Sequence, residues 1–190
     1  EAPGPSADKM HPRITETAKR LWLIYFSLTF TEFFLLKAAG MTWFDAINHA
    51  MATMSTGGFS TKNASIAHYN GMPLIQYIIT AFMFVAGTNF VLTYFALKGK
   101  IYKVFRSEEF KYYFFGVIVF TVVIAVIIIN FQDPNLITSI EHPKPWGETE
   151  SAFRHAVFQV VSIATTTGFV NAYFFAIFYW WFSRFNKWWC

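Results

Sequence analysis

The chain has 190 residues, of which 55% are hydrophobic, 21% aromatic and only 14% charged. Soluble domains carry about a quarter charged residues, and 24 phenylalanines are more than a water-facing fold of this length hides, which argues against an ordinary soluble enzyme and for a membrane location. The net charge of +4 does not call for nucleic acid, because the basic residues sit in short clusters beside apolar runs, where they set membrane topology.

Glu1–Pro12 reads as a polar, Pro/Gly-rich linker. It lacks the charged-then-apolar order of a signal peptide, and without an initiator Met the sequence reads as a segment of something longer. Cys190 is the single cysteine, so neither a disulfide framework nor a thiolate metal site is expected. Arg13 to Arg20 forms a basic helix foot, and Leu21 to Ala39 is an apolar run long enough to span a hydrocarbon core. It contains Glu32 and Lys37, which read as an interfacial pair near the helix end.

Gly40 breaks that run. Thr42 is placed as an N-cap, with Asp45 three residues on as an approximate capping box. A helix over Trp43–Met54 is too short to cross a bilayer, and it ends at Ser55-Thr56-Gly57-Gly58-Phe59-Ser60-Thr61, too rich in Gly, Ser and Thr to stay helical. Asn70–Pro73 is a turn, and Leu74–Leu97 a second spanning run. Asn89 within it calls for a helix–helix hydrogen bond. Lys98, Lys100, Lys103, Arg106 and Lys111 form the main basic cluster. Tyr112–Asn130 is a third spanning run, Phe131–Trp146 a polar loop with three prolines, and Ser151 to about Ala164 a second short helix ending at Thr165-Thr166-Thr167-Gly168-Phe169-Val170. Tyr173–Trp189 is an aromatic stretch broken by Arg184 and Lys187, an interfacial belt in character.

If Trp43–Thr61 dips into the membrane and returns, the basic residues at 9–20 and those at 98–111 share one side. The positive-inside rule therefore favours a re-entrant loop. The two short-helix segments also echo each other: aligning Gly58 with Gly168 matches Ala46 with Ala156, Thr56 with Thr166, and Phe59 with Phe169. The expected fold is thus an all-α membrane protein of tandem helix–re-entrant pore loop–helix repeats, incomplete at its C-terminal helix. Its divisions are a linker and helix foot (1–20), a first repeat (21–97), a basic loop (98–111) and a second, truncated or aberrant repeat (112–190).

Membrane repeats commonly surround a shared pathway, and non-helical backbone at membrane depth is tolerated only where it is buried or lines a cavity. An extended Thr-X-Gly stretch can aim successive carbonyls at one axis and replace the water shell of a cation. Glycine permits the backbone angles this needs, and the short helix points the negative end of its dipole at the ion. Neither loop contains a carboxylate, as in filters made of neutral carbonyls. His49 and His155 read as packing or hydrogen-bonding residues rather than metal ligands, and His11, His68 and His142 as solvated. An intramembrane enzyme using Ser55 or His49 finds no recurring base–nucleophile spacing.

The stretches 55–61 and 165–170 resemble the second and third filter loops of the TrkH/KtrB family of potassium transporters, and Glu1–Pro5 followed by Pro12-Arg13 resembles that family's cytoplasmic linker between its first and second repeats. The resemblance runs to about Ala172, covering the second repeat and part of the third. It implies a four-repeat pore for potassium uptake across the bacterial inner membrane, with the N-terminal segment cytoplasmic. Thr56, Gly57, Gly58 and Phe59, with Thr166, Thr167, Gly168 and Phe169, would then line the K⁺ filter. K⁺ is the transported ion and no cofactor is implied. The implied partners are membrane lipid, the remaining repeats, a second copy in a homodimer, and a cytoplasmic nucleotide-binding ring protein of the TrkA/KtrA type. The family's Gly-rich gating segment is missing from the second repeat's closing run. A non-conducting fragment that assembles with a sibling chain or a regulator is the alternative.

Overall fold

The computed structural model describes residues 11–130 and 147–171, so the proline-rich loop at 131–146 and the aromatic tail lie outside the described residues. Every regular element among the described residues is helical: α1 (His11–Ala38), α2 (Trp43–Met54), a 3₁₀ turn (Ser65–Tyr69), α3 (Pro73–Ala86), α4 (Phe90–Leu97), α5 (Ile101–Arg106), α6 (Glu108–Asn130) and α7 (Glu148–Ala164).

Among the described residues two unbroken helical segments are long and apolar enough to cross a membrane, Ala18–Ala38 and Glu108–Ile129. Their outward faces carry exposed aromatic and β-branched side chains, among them Trp22, Phe26, Phe30, Phe115, Phe120 and Val122. On α1 these stack one turn apart, with Trp22–Phe26 ring centroids at 5.5 Å and Phe26–Phe30 at 5.9 Å. In water such a ladder would be a liability, but against lipid it is the ordinary solvated face. Threonines in the spans satisfy their hydroxyls by bonding back one turn, as Thr29 does to the Tyr25 carbonyl at 2.8 Å and Thr80 to Gln76 at 2.7 Å.

The short helices sit inside the spans. α2 packs on α1 and α3, while α7 packs on α6 and α3. Both approach closely because their inward positions are small: Ala46, Ala50 and Ala52 on α2, Ala152 and Ala156 on α7, all buried. Between them Ile75, Ile79 and Met83 of α3, Leu36 of α1, and Phe158 and Val161 of α7 close a common core.

The second spanning run is not one helix. It breaks at Gly87-Thr88-Asn89, and the axes of α3 and α4 meet at 116°. Local chemistry explains the break. A Cβ at Gly87 would overlap the Thr165 methyl and lie 3.0 Å from the Tyr113 hydroxyl. Thr88 donates to the Val85 carbonyl at 2.7 Å, and Asn89 N-caps α4 by accepting from the Val91 amide at 3.0 Å. Asn89 therefore caps its own helix rather than bonding across to another. The basic segment at 98–111 is largely helical, as α5 and the first turn of α6; the third span starts at Glu108, where Lys111 pairs with it at 2.9 Å. α1 and α7 likewise begin earlier than their apolar runs, at His11 and Glu148.

Glu32 and Lys37 do not pair. Lys37 donates to the Met41 carbonyl at 3.2 Å and lies 5.1 Å from the Trp43 ring centroid. Glu32 is fully buried, and neither of its oxygens has a hydrogen-bond partner in good geometry. The adjacent Thr53 hydroxyl donates to the His49 carbonyl at 2.7 Å.

Candidate functional site

Thr42 caps α2 as its spacing predicts: its hydroxyl accepts from the Asp45 amide at 3.1 Å and donates to the Asp45 carboxylate at 2.8 Å. The helix ends at Met54, and the α7 counterpart ends at Ala164. The next two residues fold alike in both copies. Ser55 and Thr165 amides bond the Met51 and Val161 carbonyls, at 3.0 and 2.9 Å. Thr56 and Thr166 amides bond Thr53 and Ile163, both at 3.0 Å.

The backbone then does the same unusual thing twice. Thr56 has φ +50° and Gly58 +65°, while Thr166 has φ +58° and Gly168 +81°. Gly57 and Thr167 between them are not left-handed. A threonine at positive φ is strained by about 1–3 kcal/mol and persists only where its surroundings enforce it. In an ordinary strand successive carbonyls alternate sides. Alternating left-handed and right-handed residues can instead turn successive carbonyls towards one side, the arrangement a carbonyl-lined ion site needs. The C-terminal ends of α2 and α7 lead directly into these stretches and add their negative partial charge.

The two loops meet. A Cβ on Gly58 would collide with the Thr167 carbonyl oxygen and sit 3.1 Å from the Gly168 carbonyl carbon. Val170 donates its amide to the Ser65 hydroxyl at 3.4 Å, a further tie between the two loops. The phenylalanines differ: Phe59 is 81% exposed, while Phe169 is buried with its ring centroid 6.0 Å from that of His49. The Phe169 carbonyl accepts from the Ser162 hydroxyl at 2.8 Å, so it is engaged by the helix behind it. The Thr165 and Thr167 hydroxyls bond each other at 2.7 Å.

Both outgoing limbs are tied back to their helices by equivalent positions. In the first loop Thr61 donates to Asp45 at 2.5 Å, and Lys62 pairs with the same carboxylate at 3.2 Å. His49 donates Nδ1–H to the Asp45 carbonyl at 2.7 Å, which leaves Nε2 to accept from the Ser60 hydroxyl at 2.9 Å. In the second loop Asn171 donates to His155 Nδ1 at 2.8 Å, and Gln159 donates to Asn171 Oδ1 at 2.7 Å. With Gly58 set on Gly168, Asp45 aligns with His155, His49 with Gln159, and Thr61 with Asn171. The histidines do not align with each other because each takes the other repeat's acid or amide as its counterpart. Sequence reasoning misses these braces because the residue identities differ, although every one of the six can hydrogen-bond.

Electrostatically the first loop is the more polar. The Thr61 hydroxyl, with Thr42 and Lys62, holds the Asp45 carboxyl below its usual range against the opposing effect of burial. Burial, with Asp45 nearby, pushes the Tyr69 phenol up to about 12. Burial also lowers the His49 imidazole, which favours the neutral ring. Among the described residues no group of three or more His, Cys, Asp or Glu could hold a metal ion.

A further buried network joins the repeats. Arg154 on α7 donates to Glu150 at 2.9 Å and to Gln76 of α3 at 2.6 Å. Gln76 donates onward to Asn70 at 2.6 Å, and Tyr77 donates to Glu150 at 2.9 Å.

Spanning helices, short inserted helices and paired left-handed loops define an integral membrane protein of helix–re-entrant loop–helix repeats. The family model described as TrkH, cation transport protein, matches residues 4–174, and the chain belongs to that family. It is 43% identical to the Trk system potassium uptake protein TrkH of Escherichia coli strain K12, over 90% of this chain and 33% of that protein. It is 39% identical to TrkH of Halomonas elongata, over 92% of this chain and 34% of that one. The crystal structure of the potassium transporter TrkH from Vibrio parahaemolyticus superposes with a TM-score of 0.73 at 34% identity, covering 86% of this chain and 33% of that chain. The chain therefore spans about a third of the length of these relatives.

Proposed function

We propose that the chain supplies two of the four sides of a potassium filter in an uptake transporter of the bacterial inner membrane. The carbonyls of Thr56, Gly57 and Gly58, and of Thr166, Thr167 and Gly168, would replace the hydration shell of K⁺, with Phe59 and Phe169 closing the outer end. The observation that carries this reading is the repeated alternation of φ sign in two loops whose backbones touch. The Ser162 bond to the Phe169 carbonyl makes Phe169 the weakest member of that set, a residue that anchors the loop more than it lines the path.

The remaining repeats, a second copy and a cytoplasmic nucleotide-binding ring protein of the TrkA/KtrA type complete the assembly in this reading. The relatives' names, which place them in a Trk potassium uptake system, support it. The positive-inside pattern supports a cytoplasmic side for the N-terminal segment and residues 98–111. Two loops make half of a four-sided filter, which supports a second reading: alone, this length of chain does not conduct and works by assembling with a sibling chain.

The test is ⁸⁶Rb⁺ uptake into proteoliposomes holding the chain alone, and holding it together with a chain supplying the missing repeats. Uptake only in the combined vesicles, competed by K⁺ but not by Na⁺, is the expected result. Equal competition by Na⁺ overturns the K⁺ filter, and uptake by the chain alone overturns the second reading.

A further inference from the structure

A groove of about 210 Å³ lies between α1 and α4, lined by Arg20, Leu23, Ile24, Tyr94, Leu97 and Lys98. Its chemistry is divided. Leu23 and Leu97 present exposed apolar surface beside the buried Ile24. At the other end two cations from different helices gather on one phenol: Arg20 donates to the Tyr94 hydroxyl at 3.4 Å, and the Lys98 ammonium lies 4.7 Å from the Tyr94 ring centroid. The only anion in contact with this end among the described ion pairs is Glu16, paired with Arg20 at 3.4 Å, with both side chains more than half exposed. Such exposed pairs are worth little and exchange readily.

The groove's place in the bilayer matters. The span begins at Ala18, so Arg20 stands at the interface and Leu23 and Ile24 lie one turn deeper, facing acyl chains. Lys98 closes α4, and the positive-inside rule puts this end with the basic cluster at 98–111. A soluble anion would use the cations and leave the apolar half empty. An apolar helix of another repeat would cover the apolar half but leave the two cations without a counter-charge. A lipid with a negative phosphate head and an alkyl tail uses both halves.

We propose that this groove is a binding site for an anionic phospholipid, with Arg20 and Lys98 taking the phosphate, Tyr94 bracing both cations, and Leu23, Ile24 and Leu97 taking the start of an acyl chain. Basic pockets between spanning helices on the cytoplasmic side are suited to such head groups. The inference rests on the membrane placement of α1 and α4 and not on the filter assignment.

Native mass spectrometry of the chain released from nanodiscs of phosphatidylglycerol and phosphatidylcholine tests it. The chain is expected to retain phosphatidylglycerol preferentially. Arg20→Gln and Lys98→Gln are each expected to lower that retention about fivefold, the effect of removing one basic residue near the membrane surface. Lys103→Gln, whose ammonium lies 4.9 Å from the Phe95 ring centroid and outside the groove, is expected to lower retention less than either groove variant. Soluble glycerol phosphate in millimolar excess is expected not to displace the lipid. Equal retention of the two lipids, or an equal loss with Lys103→Gln, overturns the site; displacement by glycerol phosphate shows a phosphate site without an acyl groove and overturns it as well. Circular dichroism confirms that each variant keeps its helices. No readout involves ion flux, so this proposal and the filter reading fail separately.

Discussion

Gly58 and Gly168 occupy matched positions, yet substitution by alanine should not be equivalent. Both have positive φ, +65° and +81°, and a left-handed backbone costs a residue bearing a Cβ about 1–2 kcal/mol. At Gly168 that is the whole effect, because nothing lies within 4 Å of the added methyl. At Gly58 the methyl meets the Thr167 carbonyl oxygen, a backbone atom that cannot rotate away. Crowding of this kind adds about 1–3 kcal/mol, so Gly58→Ala should lose about 2–5 kcal/mol against about 1–2 for Gly168→Ala. For a chain of 190 residues, each kcal/mol corresponds to about 2–4 °C in Tm. Thermal unfolding of the detergent-solubilised protein, followed by tryptophan fluorescence, should therefore place Gly58→Ala well below Gly168→Ala. Equal Tm values, or the reverse order, would refute the contact between the loops as the cause.

Three further outcomes follow from the same geometry. The folded Asp45 carboxyl titrates below its unfolded value of about 3.9, so its stabilisation is complete above that pH and is lost as pH falls through the depressed folded value; Tm should not respond to Asp45 between pH 7 and 5, and Asp45→Asn should cancel part of the fall below pH 4, whereas an Asp45-dependent transition near pH 6 would contradict the assignment. Asn171→Ala removes the side-chain bonds to Gln159 and His155 while the Asn171 carbonyl still accepts from Gln159, which should cost about 1 kcal/mol, read as a Tm drop that Thr61→Ala mirrors in the first loop. Glu32→Leu removes a buried acid whose oxygens lack partners and should raise Tm, since partnerless polar groups in apolar surroundings are unfavourable; a fall of several degrees would show that Glu32 has an essential bond.

The short helices are legible in the sequence because each carries its own punctuation. Thr42 and Asp45 mark the start of α2, and the run of Ser, Thr and Gly at 55–61 stops it. The paired Thr-X-Gly stretches are legible because they repeat. The break at 87–89 is hidden, since the flanking residues are apolar enough to make one continuous span by hydropathy, and only the capping habit of Asn89 betrays it. The expected Glu32–Lys37 pair fails on helix geometry: five residues apart, the two side chains project about 140° from each other. The loop braces are hidden for another reason, because Asp45 and His155, His49 and Gln159, Thr61 and Asn171 keep a hydrogen-bonding role while changing residue type.

The Arg154 network also has a consequence for how the protein is made. Arg154 is 1% exposed, and its guanidinium is held from outside its own helix by Gln76 at 2.6 Å. α7 is a short inserted helix with Arg154 in its second turn, and a buried guanidinium is unfavourable unless it is paired. Glu150 on the same helix meets part of that need, and Gln76 of α3 completes the seat of α7. α3 precedes α7 in the chain, so the earlier unit offers the later one a polar template on which to seat.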